Sequence, residues 1–106
     1  MTDALRRFVF QGSPRERYCQ HLDMVATVEA NDPVCPECVG PKQPWVHVRM
    51  CLICGVRGCC DSSSAKHARQ HFEETGHPLI RSVEPGEQWG WCYVDKVYLR
   101  GTDFLA

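Results

Sequence analysis

Residues 35–38 read Cys-Pro-Glu-Cys and residues 51–54 read Cys-Leu-Ile-Cys, so the chain carries two C-x2-C pairs. In a metal knuckle of this form, two thiolates face one ion and the amides of the turn support the sulfurs. Gly40 and Gly55 follow the pairs, where such a turn often needs a positive φ. The chain has 8 cysteines and 5 histidines, and a disulfide framework has no use for the histidines. The spacing therefore predicts metal-bound thiolates, with zinc favoured for mixed sulfur and nitrogen ligands.

The composition indicates one small domain. The 106 residues include 12 Lys plus Arg and 13 Asp plus Glu, which gives a formal net charge of −1. This balance argues against a strongly basic nucleic-acid module. No apolar run approaches the roughly 18 residues of a membrane-spanning helix, and residues 1–17 lack a secretory pattern. We therefore expect a cytoplasmic protein with a flexible N-terminal extension at 1–17, a zinc domain at 18–106 and no membrane contact.

The patterning of the chain predicts a small α+β fold. Residues 45–50 alternate like a strand, residues 79–83 form another, and residues 91–99 form a long final strand. The main helix is predicted over about 61–76, because an Asp-Ser-Ser-Ser cluster offers N-caps at its start and Gly76 fits the C-cap. We expect an antiparallel sheet that packs against this helix and a short second helix, with the whole domain braced by zinc.

Further motifs surround the two cysteine pairs. They are Cys-Gln-His at 19–21, Trp-Val-His-Val-Arg-Met-Cys-Leu-Ile-Cys-Gly at 45–55, Lys-His-Ala-Arg-Gln-His-Phe-Glu-Glu-Thr-Gly-His-Pro-Leu at 66–79 and Trp-Cys-Tyr-Val at 91–94. Together they resemble the UBP-type zinc finger, a domain found in ubiquitin-specific proteases and in a ubiquitin-binding deacetylase. The chain is similar in size to short stand-alone bacterial versions of this domain.

This resemblance implies three zinc ions, each with four ligands. The implied sets are Cys35, Cys38, Cys59 and His67; Cys51, Cys54, His71 and His77; and Cys19, His21, Cys92 and Asp95. Asp95 stands where multi-zinc members have a further cysteine, and a carboxylate can also bind zinc. His47 and Cys60 stay outside the sets, and we expect Cys60 to be a small buried or turn thiol. Sites with four protein ligands have no open position and are structural.

Two other metal-binding patterns match only part of this sequence. Cys51, Cys54, His67 and His71 also fit the spacing of a DNA-binding finger with two cysteines and two histidines. The residues between the two pairs contain no aromatic residue and no leucine, so that finger would lack its core. The zinc-protease pattern H-E-x-x-H fails because Ala68 stands at the glutamate position. We therefore predict that the chain is not an enzyme.

The resemblance also implies a ligand pocket. Ubiquitin-binding members take the free C-terminal Gly-Gly into a pocket with aromatic walls, where an arginine pairs with the terminal carboxylate. Trp91 and Tyr93 match the walls, but Cys60 and Asp61 stand where those members have glycine and arginine. Because Asp61 would repel a carboxylate, we expect a protein-interaction module whose pocket prefers a neutral or cationic group.

Two alternative functions stay open at this point. A genuine binder of ubiquitin-like tails or C-terminal peptides would need Arg57 or Arg81 to replace the missing arginine. A nucleic-acid-binding zinc module would use the arginines of the N-terminal segment together with Arg49, Arg57 and Arg69. We expect a protein or peptide partner, with a chain terminus as one candidate, ahead of a nucleic acid.

Overall fold

The computed structural model describes residues 18–105, so the predicted extension at 1–17 and the last residue lie outside the described part. The boundary at residue 18 stays a prediction. The elements are a 3-10 turn at Leu22–Met24, α1 at Pro36–Val39, β1 at Val48–Cys51, β2 at Arg57–Cys59, α2 at His67–Thr75, β3 at Leu79–Ser82, β4 at Trp89–Cys92, β5 at Val97–Arg100 and α3 at Gly101–Phe104. The α+β class is confirmed. No helix in the described residues is long and apolar enough to cross a membrane.

The five strands form one antiparallel sheet in the order β2-β1-β3-β4-β5. Arg49 pairs with Ser82 across β1 and β3, and Ile80 pairs with Trp91 across β3 and β4. Directly paired residues of antiparallel strands point to the same face, and alternate residues of one strand share a face. Arg49, Ile80 and Trp91 therefore lie on one side of the sheet, and Arg81 lies on the other.

Apolar packing in the described residues forms two groups. The first includes Val48 and Met50 together with buried thiols of Cys35, Cys38 and Cys59. The second consists of Leu52, Leu79, Cys92, Val97, Leu99 and Phe104. Since both groups contain cysteines of the predicted zinc sites, the metal ligands are part of the core of this small domain.

The main helix begins later than predicted. Lys66, just before α2, has a left-handed backbone with φ 52°, which interrupts any helix that would start within residues 61–65. Asp61 does not cap α2, because its carboxylate binds the side chain of Arg69 instead. Gly76 ends the helix in the left-handed conformation with φ 78°, as its position predicts.

The predicted final strand over residues 91–99 is wrong, since the structure has a hairpin there. The chain turns between β4 and β5, where Lys96 has φ 56° and its N–H donates to Cys92 O at 2.8 Å. The aromatic and β-branched residues favour an extended strand throughout. The turn brings the side chains of Cys92 and Asp95 to one side, with Sγ and Oδ2 separated by 3.7 Å, a juxtaposition that strand propensity does not reveal.

Candidate metal centres and an aromatic pocket

The structure brings together every residue of the three predicted ligand sets. In each set, the candidate ligand atoms all lie within 4.8 Å of one another. Cluster one consists of Cys35, Cys38, Cys59 and His67; cluster two of Cys51, Cys54, His71 and His77; and cluster three of Cys19, His21, Cys92 and Asp95.

Cluster one is the most buried of the three. Its three cysteines are 0% exposed. The Sγ atoms of Cys38 and Cys59 lie 3.8 Å apart, and His67 Nδ1 lies 3.3 Å from Cys38 Sγ. Sulfurs at about 2.3 Å from a tetrahedral zinc ion would be separated by roughly 3.8 Å. The donor atoms of cluster one therefore fit a zinc ion.

Short local elements position the cluster-one ligands. Cys35 directly precedes α1, and Cys38 lies within it. Cys59 is the last residue of β2, and His67 is the first residue of α2. The N–H of His67 donates to Cys59 Sγ at 3.3 Å. Gly58 allows this close approach of α2, because a Cβ atom there would lie 2.5 Å from the backbone N of Ala68. Burial and the neighbouring thiols raise the pKa of Cys38 to about 12, so a cation is needed to hold these sulfurs as thiolates.

Cluster two joins the turn after β1 to the C-terminal part of α2. Cys54 Sγ lies 3.3 Å from His71 Nε2, and Cys51 Sγ lies 3.6 Å from His77 Nδ1. Burial and the nearby His77 lower the pKa of His71, which keeps its ring neutral and able to bind a metal at a lower pH than a free histidine. His67 and His71 share α2 but belong to different clusters, so one helix connects the two sites.

Cluster three connects the N-terminal part of the described chain to the β4–β5 turn. Asp95 Oδ2 lies 3.0 Å from His21 Nδ1, and Cys92 Sγ lies 3.6 Å from the same nitrogen. The backbone N–H of Gln20 donates to Asp95 Oδ2 at 2.6 Å and, with His21, lowers the pKa of Asp95. The side chains of His21 and Asp95 are 26% and 21% exposed. This cluster fits zinc with an oxygen ligand in place of a sulfur, and it is more open to solvent than cluster one.

Cys60 is outside the three clusters and is buried, at 7% exposure. Burial acts to raise its pKa, but hydrogen bonds from Ser62, His47 and Ser63 and the charge of Arg49 outweigh it and lower the pKa of this thiol. Its side chain contributes to the wall of a pocket next to the clusters.

The pocket has a volume of about 240 Å³, and aromatic side chains form much of its wall. The rings of Trp91 and Tyr98 pack edge to face with centroids 4.9 Å apart, and Trp89 contacts Tyr98 in the same way at 5.6 Å. Tyr93 stacks on Phe72 of α2 at 4.8 Å. The predicted wall residues Trp91 and Tyr93 are thus both present, and Trp89 and Tyr98 were missed. Strand pairing could have indicated Tyr98, which lies opposite Trp91.

Asp61 lies in the pocket as predicted, but it has a cationic partner. Arg69 donates to both carboxylate oxygens, with Nη2 at 2.6 Å from Oδ2 and Nε at 3.1 Å from each oxygen. The guanidinium of Arg69 also lies over the Tyr93 ring at 5.4 Å. A carboxylate held in this two-point arrangement presents little net negative charge to a ligand.

Arg49 is the second cation of the pocket, and its role was not predicted. Its guanidinium carbon lies 4.6 Å over the Trp89 ring. Nη1 donates to Val48 O at 3.1 Å and to Ser82 Oγ at 3.4 Å. Within residues 18–105 no carboxylate forms an ion pair with Arg49. The hydrogen bond from Ser82 Oγ and the nearby charge of Arg49 lower the pKa of Glu87, but Arg49 and Glu87 form no direct ion pair. The pocket therefore contains one arginine in an ion pair and one without a direct ion pair among the described residues.

The predicted pocket residues Arg57 and Arg81 do not line the pocket in the structure. Arg57 donates to the backbone O of Asp32 at 3.1 Å. Arg81 is 5% exposed and donates to Val28 O at 2.6 Å, on the face of the sheet opposite the pocket. Successive residues of a strand alternate between faces, and Ile80 contributes to the pocket. Arg81, the next residue of β3, therefore points away from the pocket.

The comparisons with known proteins agree with this geometry. The family described as "Zn-finger in ubiquitin-hydrolases and other protein" matches residues 35–104. The chain is 33% identical over 105 residues to the BRCA1-associated protein of Homo sapiens, an alignment that covers 96% of this chain and 16% of that protein. It is 33% identical over 90 residues to the BRAP2 RING ZnF UBP domain-containing protein 2 of Arabidopsis thaliana, with coverage of 82% and 16%.

Among solved structures, the fold matches the solution NMR structure of protein RPA1320 from Rhodopseudomonas palustris. The TM-score is 0.71 and the sequence identity is 47%, over 82% of this chain and 85% of that one. By contrast, the chain spans only about 16% of the length of the curated relatives named above.

Proposed function

The chain belongs to the family of zinc fingers found in ubiquitin-hydrolases and other proteins, and from this premise we propose that it acts as a protein-interaction module and not as an enzyme. It is a zinc-binding domain, and its three clusters can hold three ions. In our proposal, the four side chains of each cluster are the zinc ligands. Because four protein ligands leave no open coordination position, the ions brace the fold and take no part in catalysis.

We further propose that the pocket binds the C-terminal segment of a partner protein, and that Arg49 binds its terminal carboxylate. The observation that carries this proposal is the position of Arg49, which lies over Trp89 at the pocket and forms no direct ion pair in the described part of the chain. A guanidinium binds a carboxylate through two parallel hydrogen bonds, which gives both affinity and orientation. The aromatic wall would accept the small residues that precede the terminus.

This proposal revises the expected preference for a neutral or cationic group. That preference rested on repulsion between Asp61 and an incoming carboxylate. Arg69 pairs with Asp61 through two nitrogens, so the charges of these two side chains cancel. With Arg49, the charged side chains that line the pocket have a net charge of +1. Ubiquitin-binding members of the family have an arginine where this chain has Asp61. In this chain the carboxylate of the ligand would therefore bind Arg49, which lies at another position of the pocket.

A peptide-binding titration tests the proposal. The zinc-loaded chain is titrated with a fluorescent hexapeptide that ends in Gly-Gly, once as the free acid and once as the C-terminal amide. A hydrogen bond to a charged group contributes about 1.5–3 kcal/mol, so we expect the free acid to bind roughly 10- to 100-fold more tightly.

Two substitutions separate the role of Arg49 from the general positive charge of the domain. Arg49→Gln should remove the difference between acid and amide, whereas Arg57→Gln, which changes a partly buried arginine outside the pocket, should preserve it. Equal binding of the two peptides to the unmodified chain would refute the role of Arg49 as the carboxylate ligand. Tighter binding of the amide would restore the expected preference for neutral or cationic groups. Binding of neither peptide would refute the proposed use of the pocket.

A further inference from the structure

Residues 18–28, which we call the covering segment, pack over the second apolar group. Leu22, Val25 and Val28 are partly buried against that group, which includes Leu79 and Leu99. The covering segment contains only a 3-10 turn, and none of its residues belongs to a strand of the sheet. Its position therefore depends on side-chain packing and on a small number of individual bonds.

Few backbone hydrogen bonds hold this segment to the rest of the domain. The N–H groups of Ala26 and Thr27 donate to Leu52 O at 2.8 and 3.1 Å. Val28 O accepts from Arg81 Nη1 at 2.6 Å. At the other end of the segment, Cys19 and His21 belong to cluster three. Cluster three therefore connects the first residues of the covering segment to the β4–β5 turn.

Cluster three also differs from the other two in its donor atoms. Clusters one and two offer sulfur and nitrogen, whereas Asp95 contributes a carboxylate oxygen to cluster three. Cluster three has the same number of cysteines as cluster two, so a carboxylate stands where cluster two has a second imidazole. Zinc is a borderline-soft ion that prefers thiolate and imidazole ligands to a carboxylate. The partial exposure of His21 and Asp95 also lets water and competing ligands approach, in contrast to the fully buried cysteines of cluster one. Cluster two shares this openness, since Cys54 is exposed, so the oxygen donor is what distinguishes cluster three from both other clusters.

From these differences we infer that cluster three is an exchangeable zinc site, which releases its ion before the other two and thereby frees the covering segment from the second apolar group. The sheet and clusters one and two stay folded when this happens, because the ligands of these two clusters lie in or directly beside α1, β1, β2 and α2 and none lies in the covering segment. The chain would respond to the availability of zinc by exposing or covering Leu79 and Leu99. This inference rests on the ligand sets proposed above.

A graded removal of zinc from the full chain tests the inference. EDTA is added in steps to the zinc-loaded protein, and the zinc that remains bound is counted by elemental analysis after desalting. Amide hydrogen exchange is followed by mass spectrometry at each step. We expect a stable species with two zinc ions, in which the amides of Ala26 and Thr27 exchange at least about tenfold faster than before, while β1 and β3 keep their protection. Added zinc should reverse the change.

Substitutions at Asp95 give a second, independent measurement. Asp95→Cys should raise the EDTA concentration needed to remove the first ion by about tenfold or more, because a thiolate replaces the carboxylate. Asp95→Asn should lower it. Glu73→Cys is the matched control, since it also exchanges an acid for a thiol but at an exposed residue of α2 outside the three clusters, and it should leave the first release unchanged.

The outcomes separate this inference from the ligand sets on which it rests. If saturating zinc loads fewer than three ions, the ligand sets and the inference both fail. If three ions bind but leave together, or if cluster one or two empties first, the inference alone is overturned. It is also overturned if the first ion leaves without faster exchange at Ala26 and Thr27, or if Asp95→Cys behaves like Glu73→Cys.

Discussion

The metal clusters and the aromatic pocket share one small sheet, yet their residues are specified differently. Each cluster draws on cysteine and histidine, which are rare and chemically distinctive, and Asp95 completes the third. The resemblance to the UBP-type zinc finger implied the members of each set. The pocket draws on arginines, and two of the arginines expected there lie elsewhere. The difference teaches that residue type can identify a metal ligand, whereas an arginine acquires its role only from the strand face on which it lies.

The largest effect is expected when a cluster-one thiolate is removed. Cys38→Ser takes one sulfur from a fully buried set. The binding free energy of structural zinc is about 10–16 kcal/mol in small domains, so the loss of a ligand should leave most of the chain unfolded at 25 °C. Circular dichroism and a zinc count measure this. Cys60→Ser, next to cluster one but outside it, should keep the fold and all the bound zinc. A folded Cys38→Ser chain with undiminished zinc would contradict the prediction.

Acidification should act on the clusters before it acts on the pocket. Burial raises the pKa of Cys38 to about 12 and that of Cys19 to about 11, so both thiols are protonated at neutral pH when no zinc is present. Zinc binding therefore displaces protons, and zinc affinity must fall as the pH falls. Arginine does not titrate in this range.

A titration from pH 7 to pH 4, with zinc release and peptide binding followed in parallel, measures the order of these events. Peptide affinity should stay nearly constant until zinc is released and should then be lost with the fold. A loss of binding while all the zinc is still bound would show that a group in the pocket or on the peptide titrates first.

A substitution in the pocket wall should have the opposite signature to the loss of a cluster ligand. Trp91→Ala removes a ring that contacts Tyr98, and we expect peptide affinity to fall by about tenfold or more, since a large aromatic contact contributes on the order of 2 kcal/mol at a binding site. Zinc content should not change. Val94→Ala, at an exposed residue of the neighbouring turn, is the control. Loss of zinc from Trp91→Ala would indicate that the pocket and cluster three are not separate regions.

The smallest effect is expected from the pair of charges inside the pocket. Asp61→Asn releases Arg69 from its carboxylate partner, and affinity for the free-acid peptide should rise a few-fold. Both side chains are nearly half exposed, so the pair contributes at most about 1 kcal/mol to stability. Isothermal titration measures the affinity, and Glu73→Gln, an exposed acid of α2, controls for the change in net charge. Weaker binding by Asp61→Asn would mean that Asp61 itself contacts the peptide.

Local chemistry explains which parts of the fold could be predicted. Gly76 ends α2 because glycine readily takes the left-handed conformation, and this could be read from one residue and its neighbours. The start of α2 could not be predicted in this way. Asp61 is a residue type that often caps helices, but here its carboxylate binds Arg69. Arg69 reaches this position only when α2 has formed. The turn at Lys96 could not be predicted either, because the aromatic and β-branched residues around it favour a continuous strand.

By itself, the sequence determined that this protein is a zinc-binding member of the UBP-type zinc finger family. Through that resemblance it also implied which residues would group as zinc ligands. Only the tertiary structure decided the chemistry of the pocket. The strand register places Arg49 and Trp91 on one face and Arg81 on the other, and the approach of α2 brings Arg69 to Asp61. The physical reason is that a metal ligand is defined by its own donor atom. The charge that a ligand meets in the pocket instead depends on how distant strands pair. A shift of one residue in that pairing would move every side chain of a strand to the other face of the sheet.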